Sequence, residues 1–545
     1  MAKDSSKPTT GTSGSDGTQG TPNPTASALA DWLAQNPSVN VKIGKHKLRA
    51  PRPPYDGPKR VICLGGGGPA LGLHIGALEG LEHCGIDFRN ERAVWALSCI
   101  GAWVGVVYNQ AEYGSEIDET FDFFHKVFRD DKSYQSFPTN TIFSPDWAGC
   151  AEAAWNFMLE PENYRNAVLP RHMRESWLHT LSYLGRRKNW GRFNEGDFNR
   201  WTFNHVLAVH PGVRFLAALL YKSEVDGRAR LHYKDSKFLK DIDFKQLDEK
   251  NKPYIFHNAF NFRRQDIELF ANNPRSQRHP SHKPLTSESL CACSALPFVE
   301  KTVKVGSDIY CEGAMLDTVN FKRLLEDHHD PNASKNSDGC IEEIWINRIV
   351  DVRQIRQPRN QHDALGNLCQ MFAATVGEDD IKLFKYHIRQ SNRRVDQPPS
   401  EATRLPYHQL DLEGKKRLKQ PVWRGVIVEI PVDDTINYEW SHSNLERARD
   451  RGRIAASSVC KLYDKYAKKD SPDRIPEAQW NDGVLVIPED LTDKEIKETL
   501  TLTGDELSFV LRSRRRMSDR EAEIRAVLDS MGLNEERIRA LSRPR

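Results

Sequence analysis

Apolar residues fall into short unbroken runs, separated by glycine turns and by stretches with helical spacing. The first run, Arg60-Val61-Ile62-Cys63-Leu64, ends in Gly65-Gly66-Gly67-Gly68. An apolar run of this length predicts a strand buried on both faces. After Gly68, residues Leu71, Ile75, Leu78 and Leu81 recur at helical spacing. Gly72, Gly76 and Gly80 form a second stripe, which predicts that the helix lies close on a sheet. A second apolar strand, Ala93-Val94-Trp95-Ala96-Leu97-Ser98, ends in the small-residue turn Cys99-Ile100-Gly101-Ala102. Gly101 and Gly105 then share a face of the next helix. Two strand–glycine turn–helix units in succession predict a parallel sheet with helical crossovers. Further strands are expected at 253–260, 341–350 and 426–430, a hairpin at 303–310, and helices at 287–296 and 445–466.

The rest of the pattern sets domain limits. Residues 1–27, rich in Ser, Thr, Gly and Pro, read as a disordered tail. Residues 28–57 read as a linker with a short helix at 28–35, and 58–465 as the main domain. Within it, 115–250 reads as a helical, aromatic-rich insertion: seven of the twelve tryptophans fall between Trp95 and Trp201. That insertion is expected to serve as core or as an apolar cover over a substrate. Residues 466–490 read as a second linker and 491–545 as a small, charged helical unit, separate from the rest. The run Arg512-Ser513-Arg514-Arg515-Arg516 in that unit reads as a solvated face. There are no internal repeats.

Composition narrows the classes. The chain is 38% hydrophobic and 28% charged, ordinary for a soluble globular protein. A net charge of +3 gives no reason to expect a nucleic-acid partner. Ten cysteines without a regular pairing pattern point to a reducing cytoplasm. No apolar run approaches the length of a membrane span, and the first residues lack a signal peptide's apolar segment.

The candidate chemistry sits at the two glycine turns. A run of glycines after a strand offers backbone N–H groups that can hold a developing oxyanion. A sharp strand-to-helix elbow is where acyl-transfer enzymes place a nucleophile, and here it carries Cys99. Ser98 is the weaker candidate, because it is one residue off the elbow spacing and strand alternation turns it away. His74 is expected to pack rather than react. A dinucleotide-binding turn does not fit, since the one frame ending on Gly72 has Pro69 where a glycine is needed. Cys291-x-Cys293 near His282 lacks a second ligand pair, so no zinc site is expected there.

Four pieces in this order resemble the patatin-like acyl hydrolase family. They are Leu64-Gly65-Gly66-Gly67-Gly68 with His74-Ile75-Gly76-Ala77-Leu78, then Cys99-Ile100-Gly101-Ala102, then Ala292-Cys293-Ser294-Ala295-Leu296-Pro297, and Glu312-Gly313-Ala314. The resemblance covers roughly residues 58–465. It implies a three-layer α/β/α sandwich with a mostly parallel central sheet. It also implies a nucleophile–acid dyad, with Cys99 where the family has Ser and Glu312 where it has Asp. Gly66, Gly67 and Gly68 would be the oxyanion donors, and Asp317 the fallback acid. Leu97 stands at the elbow's first glycine, and Ala70 and Leu71 replace the basic residue and glycine of the family's loop.

The activity implied is a lipid acyl hydrolase or acyltransferase acting on esters or thioesters through an acyl-cysteine. The partner implied is a lipid, with contact at a lipid surface and no metal or organic cofactor. The helix N-terminus is expected to favour a Cys99 thiolate, and the Glu312 carboxylate to oppose it. The alternative is a non-catalytic lipid-binding or scaffold protein, motivated by the changed dyad and the missing elbow glycine.

Overall fold

The structure is a computed structural model. It describes residues 55–136, 144–145, 147–162, 227–230, 237–330, 332–334, 337–358, 361–396, 423–433, 435–467 and 492–513, with short pieces at 42–43, 46–47, 174–175, 177–178, 181–182 and 185. Two compact units are present. In the first, Lys42–Ile43 and His46–Lys47 pair antiparallel. Everything below concerns the second.

Its centre is a sheet built on β1 (Lys59–Leu64) and β2 (Val94–Leu97). To these are added β3 (Tyr254–Asn261), β4 (Asp266–Ala271), the short β5 (Lys283–Pro284), β6 (Val303–Val305), β7 (Asp308–Glu312), β8 (Ile341–Asn347) and β9 (Val426–Ile430). Strands β3, β2, β1, β8 and β9 run parallel in that spatial order. The β6–β7 hairpin and β4 join β3 antiparallel. The mostly parallel sheet with covering helices is therefore the three-layer α/β/α arrangement expected. β1 shows why its apolar run is continuous: Ile62 and Leu64 enter the core on one face, Val61 and Cys63 the core on the other.

Helix α1 (Gly72–His83) follows the glycine turn, and α2 (Ile100–Gln110) follows the elbow. α3 (Glu116–Val127) and α4 (Trp147–Leu159) are the two longest described helices of the expected insertion. Phe124 is buried in the core, whereas Trp155 and Leu159 are exposed. Trp201 and most of the remaining insertion lie outside the described residues, as do the helix expected at 28–35 and Arg514–Arg516. α5 (Ser287–Ser294), α6 (Leu324–His328), α7 (Gln361–Asp396), α8 (His442–Tyr466) and α9 (Asp493–Leu500) complete the set used here.

Two expectations are corrected. The Gly72-Gly76-Gly80 stripe faces α8, not the sheet. A Cβ on Gly76 would lie 1.8 Å from the Arg449 carbonyl oxygen, and one on Gly452 of α8 would lie 2.4 Å from that of Leu73. The two backbones thus interlock through reciprocal glycines, and Arg449 seals the contact with an ion pair to Glu79 at 2.7 Å. Replacing Gly76→Ala must push these helices apart. Overpacking of this kind destabilises by roughly 1–3 kcal/mol or more, which urea unfolding of the variant will measure.

The second correction concerns residues 492–513, expected to begin a separate unit. Ile496, Leu500, Phe509 and Val510 are buried in the same core as α1 and α8. Lys461 of α8 pairs with Glu506 at 2.6 Å.

Candidate active site

The elbow forms because β2 stops at Leu97 and the chain must turn at once into α2. Cys99 takes φ 49° and ψ −124°, a conformation that strains a residue with a side chain by about 1–3 kcal/mol. Several contacts hold it there. The Cys99 N–H donates to Cys293 Sγ at 3.1 Å, and the Ala102 N–H donates to the Cys99 carbonyl at 3.0 Å. Asn320 Nδ2 donates to the Leu97 carbonyl at 2.9 Å. Gly101 has to be glycine, because a Cβ would come within 2.3 Å of the Leu64 carbonyl oxygen.

Glu312 reaches the elbow by sheet register. Leu97 pairs with His257 of β3, and Glu312 pairs with Ala259 on the same edge. β2 and β7 therefore approach head-on along one strand, with their ends about 7 Å apart by strand rise. The Glu312 N–H donates to the Ala295 carbonyl at 3.0 Å, tying the acid to the end of α5. Gly66 marks where the pieces meet. A Cβ there would lie 3.2 Å from Cys99 Cβ, 3.3 Å from Ala314 Cβ and 3.8 Å from Glu312 Oε1. Cys99 and Glu312 thus meet at Gly66, close enough for the carboxyl group to act on the thiol.

Both expected influences on Cys99 are present, and burial exceeds them. Burial pushes the Cys99 thiol well above its usual range, and the neighbouring Glu312 adds to that push. The Ile100 N–H at the start of α2 works the other way but ranks below both. The sulfur is therefore a protonated thiol, not a helix-stabilised thiolate. Burial also raises Glu312 to about 7, against a smaller lowering by the Cys99 thiol beside it. A carboxyl group poised at neutral pH can accept a proton and return it.

The glycine turn is fixed from below. The Gly65 N–H donates to the Asn347 carbonyl at 3.2 Å. His74 Nε2 donates to the Gly65 carbonyl at 2.9 Å, while its Nδ1 accepts from Asn347 Nδ2 at 3.1 Å. Burial lowers His74 to about 4, so the ring is neutral and structural, as the sequence suggested. Gly66 departs from its expected role as an oxyanion donor: its N–H goes to the Thr318 carbonyl at 3.3 Å. Among the described residues, the N–H groups of Gly67 and Gly68 meet no protein acceptor. Gly68 has φ 53°, a left-handed conformation that favours glycine.

The other candidates are placed elsewhere. Ser98 is fully buried, and its hydroxyl donates toward Asn258 Oδ1 at 3.0 Å and the Asp317 carbonyl at 3.3 Å. The Asp317 carboxylate accepts from the backbone N–H groups of Phe321 at 3.0 Å and Lys322 at 2.9 Å, shaping its own loop. Sequence reasoning missed four residues. Asn258 ties the elbow to the acid loop through Ser98 and through its own bond to the Asp317 carbonyl at 2.7 Å. Asn320 braces the end of β2. The hydroxyl of Tyr438 lies 2.7 Å from where a Gly68 Cβ would stand, and its phenol feels both Cys99 and Glu312. Glu300 is a second buried carboxyl near Glu312, held neutral by burial and then by that neighbour. None of the four sits in a recognisable motif, so no local signal marks them.

Residues 62–325 match the family model of the patatin-like phospholipase. No curated protein matches the chain. The family's activity is lipid acyl hydrolysis, and the match begins inside β1 and ends in α6, enclosing the glycine turn, the elbow and Glu312. Among the described residues no helix is long and apolar enough to cross a membrane. Residues 62–325 are thus similar to the patatin-like phospholipase family.

Proposed function

We propose that this protein is a lipid acyl hydrolase or acyltransferase that works through an acyl-cysteine on Cys99, with Glu312 as its acid–base partner. The observation that carries this reading is the meeting of Cys99 and the buried Glu312 carboxyl group beside Gly66. As the sulfur attacks the acyl carbonyl, the carboxylate of Glu312 takes the thiol proton. The tetrahedral oxyanion is held by the N–H groups of Gly67 and Gly68, each such donor being worth roughly 3–4 kcal/mol. Collapse breaks the ester C–O bond, and Glu312 returns the proton to the leaving alcohol. Water or another acceptor then gives its proton to Glu312, attacks the thioester and releases the thiol.

An apolar rim supports a lipid substrate. Leu316, just beyond Glu312, is 57% exposed, and Leu368, Met371 and Phe372 of α7 are about half exposed. α7 packs against the Gly313–Met315 turn that follows the acid.

The test is to quench the protein with acid during turnover of a medium-chain ester and to map adducts by mass spectrometry. The expected result is an acyl group on the peptide carrying Cys99, removed by neutral hydroxylamine. Absence of both adduct and turnover would favour the non-catalytic, lipid-binding alternative.

A further inference from the structure

A second cluster of reactive side chains lies at the other end of the sheet. Its neighbours are the first residues of strands: Lys59 of β1, Val94 of β2 and Tyr254 of β3 line a cavity of about 170 Å³ that also touches His279, Asp327 and His328. The glycine turn and the elbow leave from the last residues of β1 and β2. This cluster therefore plays no part in the chemistry above.

Three residues come together here from two separate segments. His279 and His282 belong to the loop between β4 and β5, and Asp327 belongs to α6. One ligand atom from each lies within 4.8 Å of the others. His282 Nε2 is 3.0 Å from Asp327 Oδ2, and His279 Nε2 is 3.7 Å from Asp327 Oδ1. Donors bound tetrahedrally at about 2.0–2.1 Å stand roughly 3.3–3.5 Å apart. The two separations run to different oxygens of Asp327, and one donor atom from each residue needs to close from within 4.8 Å to that spacing when the ion binds.

The surroundings orient these donors. The side chains of His282 and Asp327 are 0% and 2% exposed. The hydroxyl of Tyr254 lies 2.9 Å from His282 Nδ1, and also accepts the His279 backbone N–H at 3.0 Å. The far nitrogen of His282 thus has its own partner, which is how a metal-binding imidazole is usually held. Arg323 donates to Asp327 Oδ1 at 2.9 Å, steadying the carboxylate from behind. The ring of His328 stands 5.9 Å from that of His282, and among the described residues its buried Nε2 meets no hydrogen-bond partner.

We propose that His279, His282 and Asp327 bind one divalent transition-metal ion of the Zn²⁺ class, with its remaining position facing the cavity. Two imidazoles and one carboxylate suit Zn²⁺ and its first-row neighbours better than Ca²⁺ or Mg²⁺, which take oxygen donors. On binding, the single ring proton of His282 shifts from Nε2 to Nδ1 by exchange through solvent, and Nδ1 then donates to Tyr254. The ion clamps the 279–282 loop to α6 and so serves the fold, not the acyl chemistry.

The test uses the full chain, stripped with a chelator and titrated with Co²⁺. The expected result is one equivalent bound, with the visible bands of a four-coordinate ion, no thiolate charge-transfer band, and displacement by Zn²⁺. His279→Ala, whose side chain is 32% exposed and can leave without opening the core, is expected to weaken binding at least tenfold. Tyr254→Phe is expected to weaken it by ~10-fold or more, the usual effect of removing a supporting partner. The melting temperature of the wild type, but not of His279→Ala, should rise with Zn²⁺. Lack of saturable binding, or binding unchanged in both His279→Ala and Asp327→Asn, would overturn the proposal and leave a plain hydrogen-bonded His–Asp–Arg network.

Discussion

Cys99→Ala is expected to lower ester turnover by at least ~10³-fold and to abolish acyl-enzyme formation. The fold should hardly notice. Alanine at this position removes one sulfur from a half-buried site and leaves the elbow's bracing intact, since the Cys293 contact is to the Cys99 backbone N–H. The strained φ of 49° persists with any side chain. Burst kinetics and a melting curve on the same preparation separate the two effects. Full turnover in a well-folded variant would take the sulfur out of the mechanism. It would not promote Ser98, whose hydroxyl is buried behind the elbow and committed to Asn258 and Asp317.

The second large effect concerns Glu312→Gln. Loss of a positioned base typically costs 10²–10⁴-fold, so a fall of about that size is expected in the rate of acylation. The pH profile is the sharper readout. Glu312 must be ionised to take the thiol proton, and burial sets its midpoint at about 7. Wild-type acylation should therefore rise with pH and level off above neutrality, and the variant should lose that limb.

Stability moves the opposite way. A carboxyl group whose folded value lies above its unfolded one keeps its proton more tightly in the native state. Its favourable contribution is complete below the ordinary carboxylate range and is lost as pH rises through about 7. The loss is about 3 kcal/mol at most. Glu312→Gln carries no such charge, so above neutral pH it should be at least as stable as the wild type. Denaturant melts at two pH values check this. A variant that keeps the wild-type limb would move the base to another group.

Much of this could be read from the chain, for identifiable reasons. β1 and β2 are apolar throughout because both faces of a central parallel strand are covered, and that pattern needs no partner to be seen. The elbow and glycine turn are visible because steric demands there select small residues: Gly66 against Cys99 and Ala314, and Gly101 against Leu64. The candidate acid is legible as Glu312-Gly313-Ala314 because Gly313 is forced by Asn258, whose side chain lies 2.8 Å from where a Cβ would be.

What escaped depends on distant contacts. The glycine stripe of α1 signals close approach but not the identity of the approaching surface, and here it was α8. α7 was missed because its buried stripe of Ala374, Ile381, Phe384 and Ile388 is diluted by the exposed Leu368, Met371, Phe372 and Leu383 and by the run Glu378-Asp379-Asp380. The protonation of Cys99 could not be read either, since desolvation is a property of the folded surroundings. The helix terminus was visible in the sequence; the stronger opposing influence was not.

One strand, β3, acts as a ruler for the proposed reaction. It carries both the strand that launches the nucleophile and the strand that delivers the carboxyl, set end to end two residues apart along a shared edge. Backbone steps along that edge come only in whole residues, far too coarse to tune a proton transfer. Any finer adjustment has to come from the reach of the side chains themselves. Pairing a long carboxylic acid with a thiol is one way to span the interval that this scaffold leaves.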